Sequence, residues 1–194
     1  MEKLKGLITI VISILITMGF AQSTDWYKLE KKKFGFKIEF PKKPKTKTLK
    51  ANKDSQAFFN KTNQFFCFTS GDKEENFAYF LYYTQYPNSS YNSDFINNDT
   101  LQNLYKKIID DELYYYNEKL LSKRLLSENT VMLKRYTGKE IKISFVDNGS
   151  KGTLTIRMFL IKDNFYMMET VTYGKNDFNP SMKRFFDSFD LLYL

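Results

Sequence analysis

The sequence predicts an α+β fold, a mainly antiparallel β-sheet with two principal helices packed on it. Three observations predict it. Alternating segments follow one another through short turns, as in Glu140–Val146, the turn Asp147-Asn148-Gly149-Ser150, and Thr153–Lys162. Two other segments carry apolar residues at helical spacing, one after Asp99 or Thr100 and one after Pro180. Aromatic residues make up 18% of the 194-residue chain, with 19 Phe and 14 Tyr, which suits half-buried pleated surfaces.

The N-terminal segment reads as a targeting sequence. Lys3 and Lys5 precede an apolar run from Leu7 to Phe20, and small residues at Gly19 and Ala21 flank a cleavage position before Gln22. A membrane span needs ~20 apolar residues, more than this run supplies. The expectation is therefore a signal peptide over 1–21 and a single α+β domain over 22–194, exported to the periplasm or secreted after cleavage following Ala21. An uncleaved anchor is the rival.

The first strands are Trp26–Glu30 and Phe34–Phe40, the second placing Phe36, Ile38 and Phe40 on one face. Pro41 and Pro44 end it, and an extended lysine-rich segment runs to about Lys50. Gln56–Asn60 and Gln64–Ser70 read as a hairpin about Lys61-Thr62-Asn63. Asn76–Tyr86, apolar on both faces, reads as a central strand. A polar loop over 87–98 leads to a helix ending near Tyr115, with Leu101, Leu104, Ile108 and Leu113 on one stripe. Leu120–Leu126 and Thr130–Arg135 read as two strands. After Thr153–Lys162 an Asp163-Asn164 turn leads into Phe165–Tyr173. A closing helix starts at Pro180, a residue suited to the first helical position, and runs to about Phe189 with Met182, Phe185, Phe186 and Phe189 inward.

Composition removes much chemistry. Histidine is absent and Cys67 is the single cysteine, so His-based triads, Cys–His nucleophiles, His/Cys zinc sites and intramolecular disulfides are excluded. Cys67, within Phe65-Phe66-Cys67-Phe68, reads as a buried small hydrophobe. The run Asp110-Asp111-Glu112 cannot flank a cleft as paired glycosidase carboxylates do, because adjacent helical residues point ~100° apart. Ser70-Gly71-Asp72-Lys73 matches S-x-x-K but falls between strands rather than at a helix start. Sequons at Asn60, Asn88, Asn98 and Asn148 matter only in a glycosylating host. Tyr91, Tyr105 and Tyr114–Tyr116 could stack on sugar or peptide, but read first as packing surface. No catalytic set, cofactor or metal site is expected.

The net charge of +8 is concentrated. Residues 26–50 hold ten Lys against Glu30 and Glu39, whereas residues 51–194 balance at 18 basic and 18 acidic. Candidate binding residues are Lys31, Lys32, Lys33, Lys42, Lys43, Lys45 and Lys47. Lys43, Lys45 and Lys47 alternate with Pro44, Thr46 and Thr48, a pattern that first fits an edge strand protected from pairing. As a binding patch it would attract a polyanion: anionic lipid, acidic polysaccharide or an acidic protein. Nucleic acid is excluded for an exported protein. An extended Phe34–Phe40 would hold the two lysine groups about 20 Å apart. A single patch requires the chain to fold back after Pro44.

Two segments resemble a known family. Phe34–Pro44 (FGFKIEFPKKP) has an alternating strand closed by F-P-x-x-P, and FFDSF at 185–189 follows a hairpin with a D-N turn. Their order and spacing resemble the PsbP-like superfamily and related small exported bacterial proteins. The resemblance implies an α/β/α sandwich around an antiparallel sheet and a role in binding other proteins. The photosynthetic members use histidines for metal contacts; this chain has none, so no metal role and no functional residue carries over. The expected function is thus a non-enzymatic exported domain that binds a protein or envelope component. A polyanion or membrane-surface adaptor using 31–50 is the alternative, and a carboxylate-dependent hydrolase a weaker third.

Overall fold

The computed structural model describes residues 25–50, 63–71, 75–86, 92–117, 121–174 and 179–193. The predicted signal peptide, the strand over 56–60 and Tyr91 lie outside them. Ten strands and two α-helices are present among the described residues. Strands β1 (Tyr27–Lys31), β2 (Phe36–Phe40) and β10 (Asp190–Leu191) form a small sheet in the order β1-β2-β10. The others are β3 (Lys45–Lys50), β4 (Asn63–Ser70), β5 (Ala78–Gln85), β6 (Leu121–Leu133), β7 (Tyr136–Asp147), β8 (Ser150–Ile161) and β9 (Asn164–Tyr173). They form a seven-stranded antiparallel sheet in the order β3-β4-β5-β9-β8-β7-β6. Helix α1 spans Asn98–Asn117 and α2 spans Pro180–Asp187.

Side-chain alternation assigns two apolar clusters to the two faces of the large sheet. On one face Phe65, Cys67, Leu81, Tyr166 and Met168 meet β1, β2, β10 and α2, with Phe36, Ile38, Phe40 and Phe185 all at 1% exposure or less. On the other, Ile141, Ile143, Ile156, Met158 and Met167 meet Leu104, Tyr105, Ile108 and Ile109 of α1. One outer layer is therefore a helix, and the other a helix beside a three-stranded sheet.

Local chemistry explains most boundaries. Lys32–Phe34 form a 3-10 turn closed by Gly35 at φ 72°, a conformation that costs glycine nothing, so β2 starts at Phe36 rather than Phe34. Asn148 and Gly149, both at positive φ, make the expected two-residue hairpin with Asp147 opposite Ser150. The next hairpin turns at Lys162-Asp163, one residue earlier than expected, with Ile161 opposite Asn164. Helix α1 is capped by Asn97, whose Oδ1 accepts from Thr100 N at 2.8 Å, not by Asp99 or Thr100. Asn179 caps α2 by accepting from Met182 N, with Pro180 in the first turn as expected.

Three expectations need larger correction. β4 pairs with β3 on one side and β5 on the other, so the partner of Gln64–Ser70 is the lysine-rich segment rather than the 56–60 segment expected. Leu121–Leu133 is one strand rather than two. It continues through Ser127-Glu128-Asn129 because polar residues are tolerated on an outer strand, and register shifts at Leu121/Arg124 and Leu125/Ser127 absorb the irregularity. Helix α2 ends at Asp187, before Phe189. Ser188 caps it, and Phe189 turns in to stack over Phe159 at 6.4 Å and meet Tyr166 at 5.3 Å, delivering the unforeseen β10 onto β2.

Candidate binding edge

The path of the chain around Pro44 decides where the lysines lie. Phe34, just before β2, packs its ring 5.0 Å from Phe65 and 4.8 Å from Tyr83. Phe40, at the other end of β2, meets Phe185 at 5.2 Å, and Phe185 meets Tyr79 at 5.2 Å. Tyr79 pairs with Thr69, so β2 runs from the Phe65 end of β4 towards its Thr69 end. The chain then reverses over 41–44 about the buried Pro44, and β3 runs back with Lys45 opposite Phe68 and Lys50 opposite Asn63. The fold-back that a single patch requires is present.

The reversal brings the Thr48 end of β3 beside the 31–33 turn, while Lys45 and Lys47, opposite Phe68 and Phe66, lie on the sheet face away from Lys31 along the same edge strand. Lys31 Nζ stands 5.0 Å from the centroid of the Phe65 ring, and Phe65 is the cross-strand neighbour of Thr48. With strands ~4.8 Å apart, Lys31 lies on the order of 10 Å from the Thr48 backbone, comparable with the ~8 Å Debye length at physiological salt. Lys32, Lys33, Lys42, Lys43, Lys45 and Lys47 are exposed and Lys31 is half-buried. Lys32 approaches Glu30 at 3.9 Å, both in solvent, a contact worth little. Lys33, Lys42, Lys43, Lys45 and Lys47 form no ion pair with an acid among the described residues. Glu39 is engaged elsewhere, by Arg184 at 2.8 Å, and Lys37 is matched by Asp190 at 3.2 Å.

The remaining candidates separate cleanly. Cys67 is fully buried, and burial pushes its thiol well above the ordinary range. Tyr105 is also fully buried: its hydroxyl donates to Thr137 O and accepts from Leu160 N, both at 3.0 Å, so it ties α1 to the sheet rather than stacking on a ligand. Asp110 is exposed on α1. Asp111, Glu112 and Tyr114–Tyr116 belong to the same helix, but their side chains lie outside the described set. Ser70 ends a strand, so it lacks the helix start that an S-x-x-K nucleophile uses. Asn98 opens α1 and Asn148 sits in a hairpin turn. Among the described residues no cluster of His, Cys, Asp or Glu is arranged to hold a metal ion, and no helix is long and apolar enough to cross a membrane.

Surface depressions among the described residues include the following two. One, of about 210 Å³, lies between Ser93, Asp94 and Leu101 and the β6–β7 turn at Arg135 and Tyr136. The other, of about 120 Å³, lies between α2 and strands β7 and β8. In the second, Arg157 bonds Glu140 at 2.6 Å, approaches Asp187 at 3.5 Å and covers the Phe186 ring at 4.8 Å, while Lys183 pairs with Asp187. Arg157 and Lys183 are thus matched by Glu140 and Asp187. This network joins α2 to the β7–β8 hairpin, and only the cross-strand neighbours Glu140 and Arg157 could have hinted at it.

The whole architecture is similar to the solution structure of cyanobacterial PsbP from Synechocystis sp. PCC 6803. The TM-score is 0.51 at 9% identity, covering 89% of this chain and 95% of that one. The fold is PsbP-like, as the resemblance at 34–44 and 185–189 implies. A protein of unknown function from Pseudomonas aeruginosa superposes with a TM-score of 0.35 at 7% identity, over 76% of this chain and 82% of that one. Neither a protein-family model nor a curated protein sequence matches the chain.

Proposed function

We propose that the protein is an exported, non-catalytic binding domain that holds an anionic partner on the margin formed by the Lys31–Lys33 turn, the 41–44 bend and β3. One observation carries the reading: in an otherwise neutral chain the reversal at Pro44 lays the lysines of β3 along a sheet edge whose Thr48 end adjoins the 31–33 turn, with Lys33, Lys42, Lys43, Lys45 and Lys47 free of ion pairs among the described residues. Electrostatic attraction of this kind concentrates acidic partners and speeds their encounter. The export signal read over 1–21 would deliver the domain to the cell envelope, where acidic proteins, acidic polysaccharides and anionic headgroups share the required chemistry. The arrangement of α1 on one face of the sheet and α2 on the other supports the finer description as an α/β/α sandwich, the three-stranded sheet completing the second outer layer.

The test is retention on heparin and on anionic vesicles. The parent protein is expected to bind both at low salt and to be released as salt rises. Replacing Lys42, Lys43, Lys45 and Lys47 by Ser should abolish most of that retention while leaving the melting temperature nearly unchanged, since exposed lysines contribute little to folding. Unaltered retention, or none in the parent, overturns the reading.

A further inference from the structure

We infer that the outer edge of β3 takes an extended acidic peptide as an additional strand, with carboxylates at alternate positions facing Lys45 and Lys47. The inference rests on the lysine-rich margin being the binding surface and names its ligand. β3 is the terminal strand of the seven-stranded sheet, and no further strand pairs with it among the described residues. Its six residues span ~20 Å, and alternate N–H and C=O groups point away from β4 with no backbone partner among the described residues. Such a row is completed by an extended peptide, which supplies matching donors and acceptors. A polysaccharide or a lipid surface has no alternating row of amide donors and acceptors to complete the ladder.

Charge selects the peptide. Lys45 and Lys47 lie on one face of β3, and Thr46 and Thr48 on the other, all four exposed. A second copy of β3 would set lysine near lysine across the new ladder, which destabilises pairing. The same pattern that guards the edge against this chain's own copies is complementary to a strand of alternating acids. Positions facing Thr46 and Thr48 suit β-branched residues. On the Thr46/Thr48 face the edge passes Lys31 near Thr48, two residues before β3 ends at Lys50, and Lys31 adds positive charge beside the peptide. The opposite edge, β6, is less suited: two register shifts interrupt its ladder, and its Glu128 is held by Lys139 at 2.7 Å.

The experiment uses a labelled ten-residue peptide alternating Glu and Thr, titrated with the full protein and followed by fluorescence anisotropy. Two further peptides carry N-methyl groups at the odd or at the even positions. Strand addition uses one set of N–H groups only, so one methylated peptide should bind about tenfold or more weakly while the other keeps the parent affinity. The pair Lys45→Ser and Lys47→Ser should also weaken the parent peptide about tenfold, and Lys45→Arg with Lys47→Arg should restore it. If both methylated peptides bind like the parent peptide, the edge acts through charge alone and strand addition is wrong, while the binding surface stands. If heparin fragments bind and no peptide does, the ligand is a sulfated polysaccharide and the inference fails. If nothing anionic binds, the proposed function fails with it.

Discussion

Asp190 shows how a single side chain fastens the C-terminus. It closes the two-residue strand β10 onto β2 and sits between Lys37 at 3.2 Å and Lys134 at 3.1 Å. Burial pushes its carboxyl up, but hydrogen bonds from Lys134, Lys37 and the Leu191 N–H outweigh this and hold it below the ordinary carboxylate range. A folded pKa below the unfolded value of ~3.9 means that ionised Asp190 stabilises the fold above that pH, and that the contribution is lost as pH falls through the folded pKa. The melting-temperature gap between the parent and Asp190→Asn should therefore be widest near pH 6 and shrink as pH falls below the unfolded value of ~3.9. A gap of constant size would show that the carboxylate is not coupled to folding. Cys67 gives a second expectation at this scale. Its thiol is fully buried and pushed upward by burial, so an alkylating reagent should label it only in denaturant, and rapid labelling of the native protein would contradict the packing.

Helix α2 is short, and its anchorage comes from both ends. Asn179 caps it while joining Asn76, Thr172 and Tyr79 in one buried polar network, through bonds of 2.7 Å between Asn76 and Asn179, 2.7 Å between Thr172 and Asn76, and 2.8 Å between Asn76 and Tyr79. Phe185 fills the centre between Phe40 and Tyr79 at full burial. Phe185→Ala should cost ~3–5 kcal/mol, read as a shift in the denaturant midpoint, and a loss below about 1 kcal/mol would make the helix peripheral. Elements such as this one were legible because their signals are local: a cap and a proline at 179–180, an Asn-Gly turn at 148–149, an apolar stripe in α1. The pairing of β3 with β4 was not. The strand partner of Gln64–Ser70 lies across a long connection, and alternation alone does not say which alternating segment will pair. The continuity of β6 was hidden for a related reason. Ser127-Glu128-Asn129 has turn composition, and only the ladder to β7, with Lys139 bonding Glu128 at 2.7 Å, holds it extended.

The candidate site was legible as composition and not as a place. The excess of lysine over 26–50 can be counted in the sequence, and Lys45 and Lys47 can be put on one face, but whether 31–33 and 42–47 form one field or two depends on the direction of the chain after Pro44. The sequence permits both directions. The contacts of Phe34 with Phe65 at one end of β2, and of Phe40 with Phe185 at the other, select the reversal. Separate patches about 20 Å apart would be screened from each other, whereas groups on the order of 10 Å apart still reinforce one another at physiological salt. The two arrangements differ in what partial removal does. For independent patches, replacing Lys31, Lys32 and Lys33 by Ser would leave heparin retention at the level set by the surviving group. For one continuous margin, that replacement should lower the salt concentration needed for elution, replacing Lys42, Lys43, Lys45 and Lys47 should lower it too, and the combined variant should flow through. Unchanged elution after loss of 31–33 would show that the turn lies outside the field of the β3 edge. Because Lys31 also covers the Phe65 ring at 5.0 Å, Lys31→Arg is the control that keeps both charge and stacking, and it should elute with the parent protein.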